Sequence, residues 1–322
     1  MLSVVKKSLS DSIDDLLLNW NHAISYPYGL TKRLIQEKLI ESTFTIHEGS
    51  FSIYLEDDYV GTIVLKHQKD IGLDNRIMHI SIIFINPRFR NQGYGKMLLD
   101  NAKKVVSDLG ATKLIVGGDM DCLFSGVFLL ENHQSHEFFA HRGMTVFSRN
   151  YNLIATTPND NPILLPDDYK IVTKLTKQDY ASLIDFIGNT FSPRWRYEAL
   201  HTEPNYFFVL KHNQKIIGFI RWGDEQSKVL PNSLNQYNCY SKLAGFGPLG
   251  IDTNYRGNGI GSAFVSNALK ELWQLGYQSI MVDWTNLVQF YQKCGFKEIC
   301  NEYIQYQHSL RGRSNGKKNT SL

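Results

Sequence analysis

The chain has 322 residues, too many for one typical domain and enough for two, each able to bury a core. Its 43% hydrophobic, 20% charged and 12% aromatic residues exclude a disordered or fibrous protein, and a net charge of +3 calls for no polyanionic partner such as nucleic acid. Cys122, Cys239, Cys294 and Cys300 form no C-x-x-C pair and no zinc-finger spacing with the histidines, so free thiols and no metal are expected.

The opening Met1-Leu-Ser-Val-Val-Lys-Lys-Ser leads into an acidic, Trp-containing amphipathic stretch rather than an apolar signal core. No apolar run reaches the length of a membrane span, and a cytoplasmic protein is expected. Residues 11–43 read as polar-apolar helices, and Phe51-Ser-Ile-Tyr-Leu-Glu-Asp-Asp-Tyr-Val-Gly-Thr-Ile-Val-Leu as a hairpin. His79-Ile-Ser-Ile-Ile-Phe-Ile reads as a strand. After it come a glycine-rich turn and a helix whose Met97, Leu98, Leu99, Ala102, Val105, Val106 and Leu109 recur at three-and-four spacing before Gly110 stops it. Lys113-Leu-Ile-Val reads as the next strand. A run rich in Pro, Asn and Asp at 156–168 marks a boundary, giving units at 1–156 and 157–310 and a basic, mobile tail at 311–322.

The second unit repeats the first at an offset of 166 residues. Ile85-Asn-Pro-Arg-Phe-Arg90-Asn-Gln-Gly93-Tyr-Gly95 lies over Ile251-Asp-Thr-Asn-Tyr-Arg256-Gly-Asn-Gly259-Ile-Gly261, and Leu109-Gly110 over Leu275-Gly276. Helices at 175–200, a hairpin turning at His-Asn-Gln-Lys, and a strand from Leu243 to Ile251, loosened by glycine and broken by Pro248, precede the second turn. Such internal duplication is far less easily produced by chance than one motif.

A strand, then Arg-x-x-Gly-x-Gly, then a helix leaves backbone N–H groups aimed into one concavity at a positive helix end, with an arginine beside it, which suits a pyrophosphate. Other phosphate motifs fit less well. Gly95-Lys96-Met97 and Gly261-Ser262-Ala263 both lack the Gly-Lys-Ser/Thr ending of a Walker loop, and Gly257-Asn258-Gly259-Ile260-Gly261 has the wrong third spacing for a dinucleotide fingerprint.

The turn, together with Val282-Asp-Trp-Thr-Asn-Leu-Val-Gln-Phe-Tyr291-Gln-Lys-Cys-Gly295-Phe296 beyond it, resembles the GNAT (general N-acetyltransferase) acyltransferase family, twice over nearly the whole chain. The resemblance implies an α/β protein with a mixed sheet in two tandem GNAT domains, each sheet splayed between its fourth and fifth strands. It also implies acetyl-CoA as co-substrate, a small-molecule amine as acceptor, and pyrophosphate held by Arg256 and the backbone of Asn258, Gly259 and Gly261. Ile251, Gly257, Ile260 and Ser262 would complete that site, and Arg90, Gly93 and Gly95 would be its counterpart in the first copy.

In the family's mechanism a tyrosine protonates the departing thiolate, and Tyr291 stands at that place. The first copy has Phe139 there, 152 residues earlier, so it is expected to be structural while still open to CoA. About fourteen extra residues in the first copy, including Asp119-Met-Asp-Cys-Leu-Phe-Ser-Gly-Val-Phe-Leu-Leu, form a loop able to reach the other domain. Asp283 follows the fifth strand and is the candidate base; Glu198, Asp224, Glu225 or a water are alternatives. Trp284 is either a wall for a sugar ring or core. The chain looks most like bacterial glucosamine or glucosaminide N-acetyltransferases, which makes an amino sugar the first acceptor to consider. An aminoglycoside or other small amine, protein acetylation and a non-catalytic acyl-CoA-binding role are the rivals.

Overall fold

The computed structural model describes residues 4–129, 134–158, 163–233 and 239–310. The predicted tail at 311–322 and the middle of the boundary run, 159–162, lie outside these residues. In chain order the first half contains β1 (Val4–Lys7), α1 (Ile13–Tyr28), α2 (Lys32–Ile35), β2 (Phe51–Leu55), β3 (Asp58–Lys66), β4 (Ile77–Ile85), α3 (Tyr94–Asp108), β5 (Lys113–Val116), β6 (Val127–Phe128), α4 (Gln134–Ala140) and β7 (Thr145–Ala155). The second half contains β8 (Tyr169–Val172), α5 (Lys177–Thr190), α6 (Pro193–Leu200), β9 (Phe207–His212), β10 (Lys215–Gly223), β11 (Leu243–Ile251), α7 (Ile260–Gln274), β12 (Ser279–Thr285), α8 (Val288–Cys294) and β13 (Glu298–Ser309).

Local chemistry explains most of these elements. Thr176 and Asp179 close a reciprocal capping box that starts α5. Asn213 and Gln214 both adopt positive φ, at 47° and 64°, as a two-residue hairpin turn between β9 and β10 requires. Pairing of β4 with β5 is parallel and ends at Ile80 and Val116; that of β11 with β12 ends at Phe246 and Val282, 166 residues later. Beyond these points β4 and β11 run on without that partner. The predicted splay between fourth and fifth strands is therefore present in both halves.

Pro248 does not break β11, contrary to the sequence expectation. The pairing with β10 shifts register between Ile220 and Trp222, opposite Leu249 and Phe246, so Gly247 and Pro248 occupy a bulge. A proline there removes no ladder hydrogen bond. The first half bulges at the equivalent Ser81, where the β3–β4 register shifts between Val64 and Leu65.

Among the described residues, the thirteen strands form one sheet, ordered β1-β2-β3-β4-β5-β13-β7-β12-β11-β10-β9-β8, with β6 pairing on β13. The halves have exchanged their last strands. β13, from the end of the second half, pairs antiparallel with β5, whereas β7, from the end of the first, pairs antiparallel with β12. The two exchanged strands pair with each other from Glu298–Ile154 to Gln307–Thr145. Neither 1–156 nor 157–310 carries its whole sheet. One hydrophobic cluster accordingly joins Trp20, Phe84 and Phe124 of the first half to Leu230, Leu243, Met281 and Tyr303 of the second.

Candidate active site

The two glycine-rich turns have the same construction. A 3-10 turn, Pro87–Phe89 or Thr253–Tyr255, is capped by Asn86 or Asp252, whose side-chain oxygen accepts from the N–H two residues on. The arginine that follows turns its Nε back onto the last carbonyl of the strand: Arg90 to Ile85 O at 3.2 Å, Arg256 to Ile251 O at 2.8 Å. Gly93 and Gly259 adopt φ of 92° and 86° and start helices of fifteen residues each. No atom would lie within 4 Å of a Cβ at either glycine, so the left-handed backbone is what demands glycine there. Gly95 is different, because a Cβ would come within 2.9 Å of the Phe138 ring; its counterpart Gly261 faces Phe290 at 3.6 Å. In the first half that second glycine lets α4 pack onto the turn, whereas at Gly261 a Cβ would make only ordinary van der Waals contact.

At the start of α7 the Ile260 N–H is taken by Asn258 Oδ1 at 3.3 Å, and Ala263 N–H bonds to Gly259 O. The N–H groups of Gly261 and Ser262 remain as the unpaired donors of a helix N-terminus. The Ile251 and Ile260 side chains belong to the buried core, so their part in this turn is confined to backbone.

Asp283 lies on β12 one residue past the splay point. It keeps a partial solvent face, yet protein surrounds its carboxyl, as in a recess. Burial pushes its pKa up from the usual carboxylate value to about 6, against Arg221, the Ser233 backbone and Arg194, which lower it, and with Glu198 raising it. Tyr291, on α8, is 5% exposed and packs edge-on to Phe290 and Phe296. Burial, Cys294 and Asp283 all raise its pKa, so the phenol holds its proton at neutral pH.

Glu198 belongs to the same recess but is committed. Arg194 Nε donates to it at 2.8 Å and Arg221 lies at 3.5 Å; these cations outweigh its burial and keep it ionised. Asp224 is elsewhere, accepting from Tyr206 and Tyr277 hydroxyls in a second cavity of about 340 Å³ that also includes Glu225 and Lys242.

The first half helps to build this recess. Arg194 Nη1 donates to Gly118 O at 3.0 Å, and its guanidinium lies 4.4 Å from the Trp284 ring centroid. A Cβ on Gly118 would sit 2.8 Å from the same indole, so only glycine allows the approach. Trp284 itself has φ of 47° at a break in the β12–β7 register and donates its N–H to Asn152 Oδ1. The segment carrying Gly118 is fixed by a fully buried ion pair, Lys66 to Asp119 at 2.7 Å, with Ser81 donating to the same carboxylate oxygen and Lys66 also to Met120 O. The predicted long loop thus does reach the second half. Sequence reasoning missed Arg194, Arg221 and Lys66; only the Arg194-to-Glu198 spacing of four along a helix was a readable signal.

In the first half the splay opens into a cavity of about 360 Å³, lined by Arg90, Gly93 and Gly95 at its turn and by Ser81 and Gly117 at its apex. Phe139, in the place of Tyr291, stacks on Tyr306 of the exchanged strand.

Twin splays, each below an arginine-glycine turn, are matched by a family model twice. The acetyltransferase (GNAT) family model covers residues 16–144 and 173–296. The chain belongs to the GNAT acetyltransferase family. Among solved structures, a fungal multi-domain beta-N-acetylglucosaminidase described as containing a GCN5-related glucosamine N-acetyltransferase region superposes with a TM-score of 0.82 at 18% identity over 96% of this chain. The present GNAT chain spans 38% of that protein's length. A GCN5-related N-acetyltransferase from Sphaerobacter thermophilus aligns at TM-score 0.69 and 13% identity, covering 96% of both chains. A tandem GNAT protein from the clavulanic acid biosynthesis pathway aligns at TM-score 0.67 and 15% identity, over 96% of this chain and 98% of its own. These likenesses show a shared tandem fold. No curated protein sequence matches the chain. Among the described residues, no helix of this GNAT protein is long and apolar enough to cross a membrane.

Proposed function

We propose that the C-terminal copy transfers acetyl from acetyl-CoA to the primary amine of a small polar acceptor, with an amino sugar as the first candidate. The observation that carries this reading is the pairing of Asp283 and Tyr291 at the second splay, one carboxyl tuned to about 6 and one phenol kept protonated. The Gly259 turn, with the Gly261 and Ser262 N–H groups and Arg256, holds the donor's pyrophosphate, and the gap between β11 and β12 takes its pantetheine arm. Asp283 receives a proton from the acceptor ammonium. The freed amine attacks the thioester carbonyl, and as the C–S bond breaks Tyr291 gives its proton to the leaving thiolate. The nitrogen of the new amide gives up its remaining excess proton through water to the phenolate, which restores Tyr291, and Asp283 releases its proton to solvent.

The acceptor assignment is supported by the polar recess of Glu198, Arg194, Arg221 and Trp284 and by the fungal neighbour's description. Initial rates of CoA release across a panel of amino sugars, aminoglycosides and peptides test it; turnover confined to peptides contradicts the small-acceptor reading. Tyr291→Phe should lower kcat by about a hundredfold, within the range of general acid catalysis.

For the N-terminal copy we read CoA binding without transfer. Arg90, Gly93 and Gly95 line an open cavity, which favours a ligand, whereas Phe139 has no proton to give.

A further inference from the structure

The two splays differ in what lies on their far side. Each half's sheet has one face covered by the helix after the turn and the other by the half's first helices. In the second half that side carries an ionic group, Arg194 and Glu198 on α6 and Arg221 on β10, beside an apolar cluster that includes Phe191, Trp195 and Phe219. In the first half it is hydrocarbon. The cavity continues past Ser81 and Gly117 to Trp20, Ala23, Ile24, Phe84, Phe124 and Phe128. Trp20 stacks on Phe124 at 5.5 Å, and Phe84 and Phe128 close around them at 5.4 and 6.2 Å from Trp20. These residues belong to the α1-side core, whereas Ile83, Ile85, Phe138 and Phe139 belong to the α3-side core. One continuous space therefore joins the two faces. At its mouth are Arg90, Lys96 and Arg142, three cations around the turn; at its inner end there is no charged side chain among the described lining residues.

We propose that the N-terminal cavity is a binding site for a fatty acyl-CoA with a chain longer than acetyl, its diphosphate on the Arg90 turn and its alkyl chain in the box formed by Trp20, Ala23, Ile24, Phe124 and Phe128. The inference rests on reading the first turn as a pyrophosphate site, and adds the acyl class. A polar acceptor amine would meet no charged side chain at the inner end, so binding without transfer is the expected behaviour. An acyl chain replaces that mismatch with apolar contact. Each methylene moved from water into such a box strengthens binding by about fourfold. Two or three buried methylenes beyond acetyl are enough to separate octanoyl-CoA clearly from acetyl-CoA. The cations at the mouth favour the CoA ester over a free fatty acid, whose single carboxylate would leave most of them without a partner.

Isothermal titration of the full chain carrying Arg256→Glu, which disables the second turn, tests this with CoA, acetyl-CoA, octanoyl-CoA and octanoate as probes. Octanoyl-CoA should bind at one site at least about tenfold more tightly than acetyl-CoA, with octanoate undetectable. Ala23→Trp, which fills the box, should erase that preference and leave acetyl-CoA affinity within about twofold. Ile24→Ser, which makes the box polar without filling it, should reduce the preference and guards against a misfolded tryptophan variant. Equal affinities for octanoyl- and acetyl-CoA would overturn the acyl assignment while the pyrophosphate reading stood. Octanoate binding as tightly as its CoA ester would overturn it in favour of a fatty-acid pocket. No CoA ligand binding to Arg256→Glu, with full binding to Arg90→Glu, would remove the first turn as a ligand site and the inference with it.

Discussion

Arg194, on a helix of the second half, donates a 3.0 Å hydrogen bond to the backbone carbonyl of Gly118 in the first half. The same guanidinium bonds Glu198 and covers one face of Trp284. Three jobs in different directions suit a planar fork of donors and not a single ammonium. Arg194→Lys should therefore behave like Arg194→Ala, raising KM for the amine about tenfold and leaving KM for acetyl-CoA unchanged. Steady-state kinetics with each substrate varied in turn checks this, and rescue by lysine would show that charge alone is needed.

Asp283 sets the pH dependence. Its pKa of about 6 reflects burial among Arg221, Arg194, Glu198 and Tyr291, and the base is active only when ionised. Below pH 6 the rate should fall with falling pH. Asp283→Asn should remove that limb and lower kcat/KM by roughly a hundredfold or more. Stability should move the other way. A carboxyl whose folded pKa lies above its unfolded value favours folding while protonated and loses that contribution as pH rises through 6. Asp283→Asn should thus be more stable than the parent by about 1–3 kcal/mol at pH 7, with the gap closing below pH 4. Urea denaturation at the two pH values measures it.

Lys66 and Asp119 are both fully buried and form an ion pair. Lys66→Met leaves a carboxylate without its countercharge in the interior, and should destabilise the fold by about 3–5 kcal/mol. The double variant Lys66→Met with Asp119→Leu should recover most of the loss. Denaturant midpoints of the three proteins test the claim; an undiminished loss in the double variant would mean that the pair acts through its other hydrogen bonds.

The sequence made the repeat, the splay and the turns legible because backbone conformation there depends on few residues: glycine at positive φ, arginine after a capped turn, and apolar spacing in α3 and α7. The exchanged strands were not legible. β7 and β13 carry Asn150, Asn152, Asn301 and Gln305, all buried at the centre of the sheet. They read as polar because their amides satisfy one another across the pair: Asn150 donates to Gln305, and Asn152 to Asn301. Nothing local to either strand says which half it will join. The recess was half legible for the same reason. Asp283, Glu198 and Tyr291 sit in recognisable positions, but Arg221 enters only through a tertiary contact within the second half and the Gly118 carbonyl only through one between the halves.

Strand exchange also fixes how the molecule unfolds. A sheet whose central pair comes from opposite ends of its halves, with a core cluster drawn from both, should lose its structure in one step. Differential scanning calorimetry should give a single transition with equal calorimetric and van't Hoff enthalpies. A fragment of residues 1–156, lacking β13 beside β5 and leaving β7 without β12, should not give a stable monomer.

The central claim is that chemistry belongs to the second copy. It is tested most directly by acetyl transfer from acetyl-CoA to an accepted amine, measured for Arg256→Glu and Arg90→Glu side by side. The account predicts that Arg256→Glu abolishes turnover at ordinary acetyl-CoA concentrations and that Arg90→Glu retains it. Loss of turnover with Arg90→Glu and its survival with Arg256→Glu would place the transfer in the first copy and contradict the account.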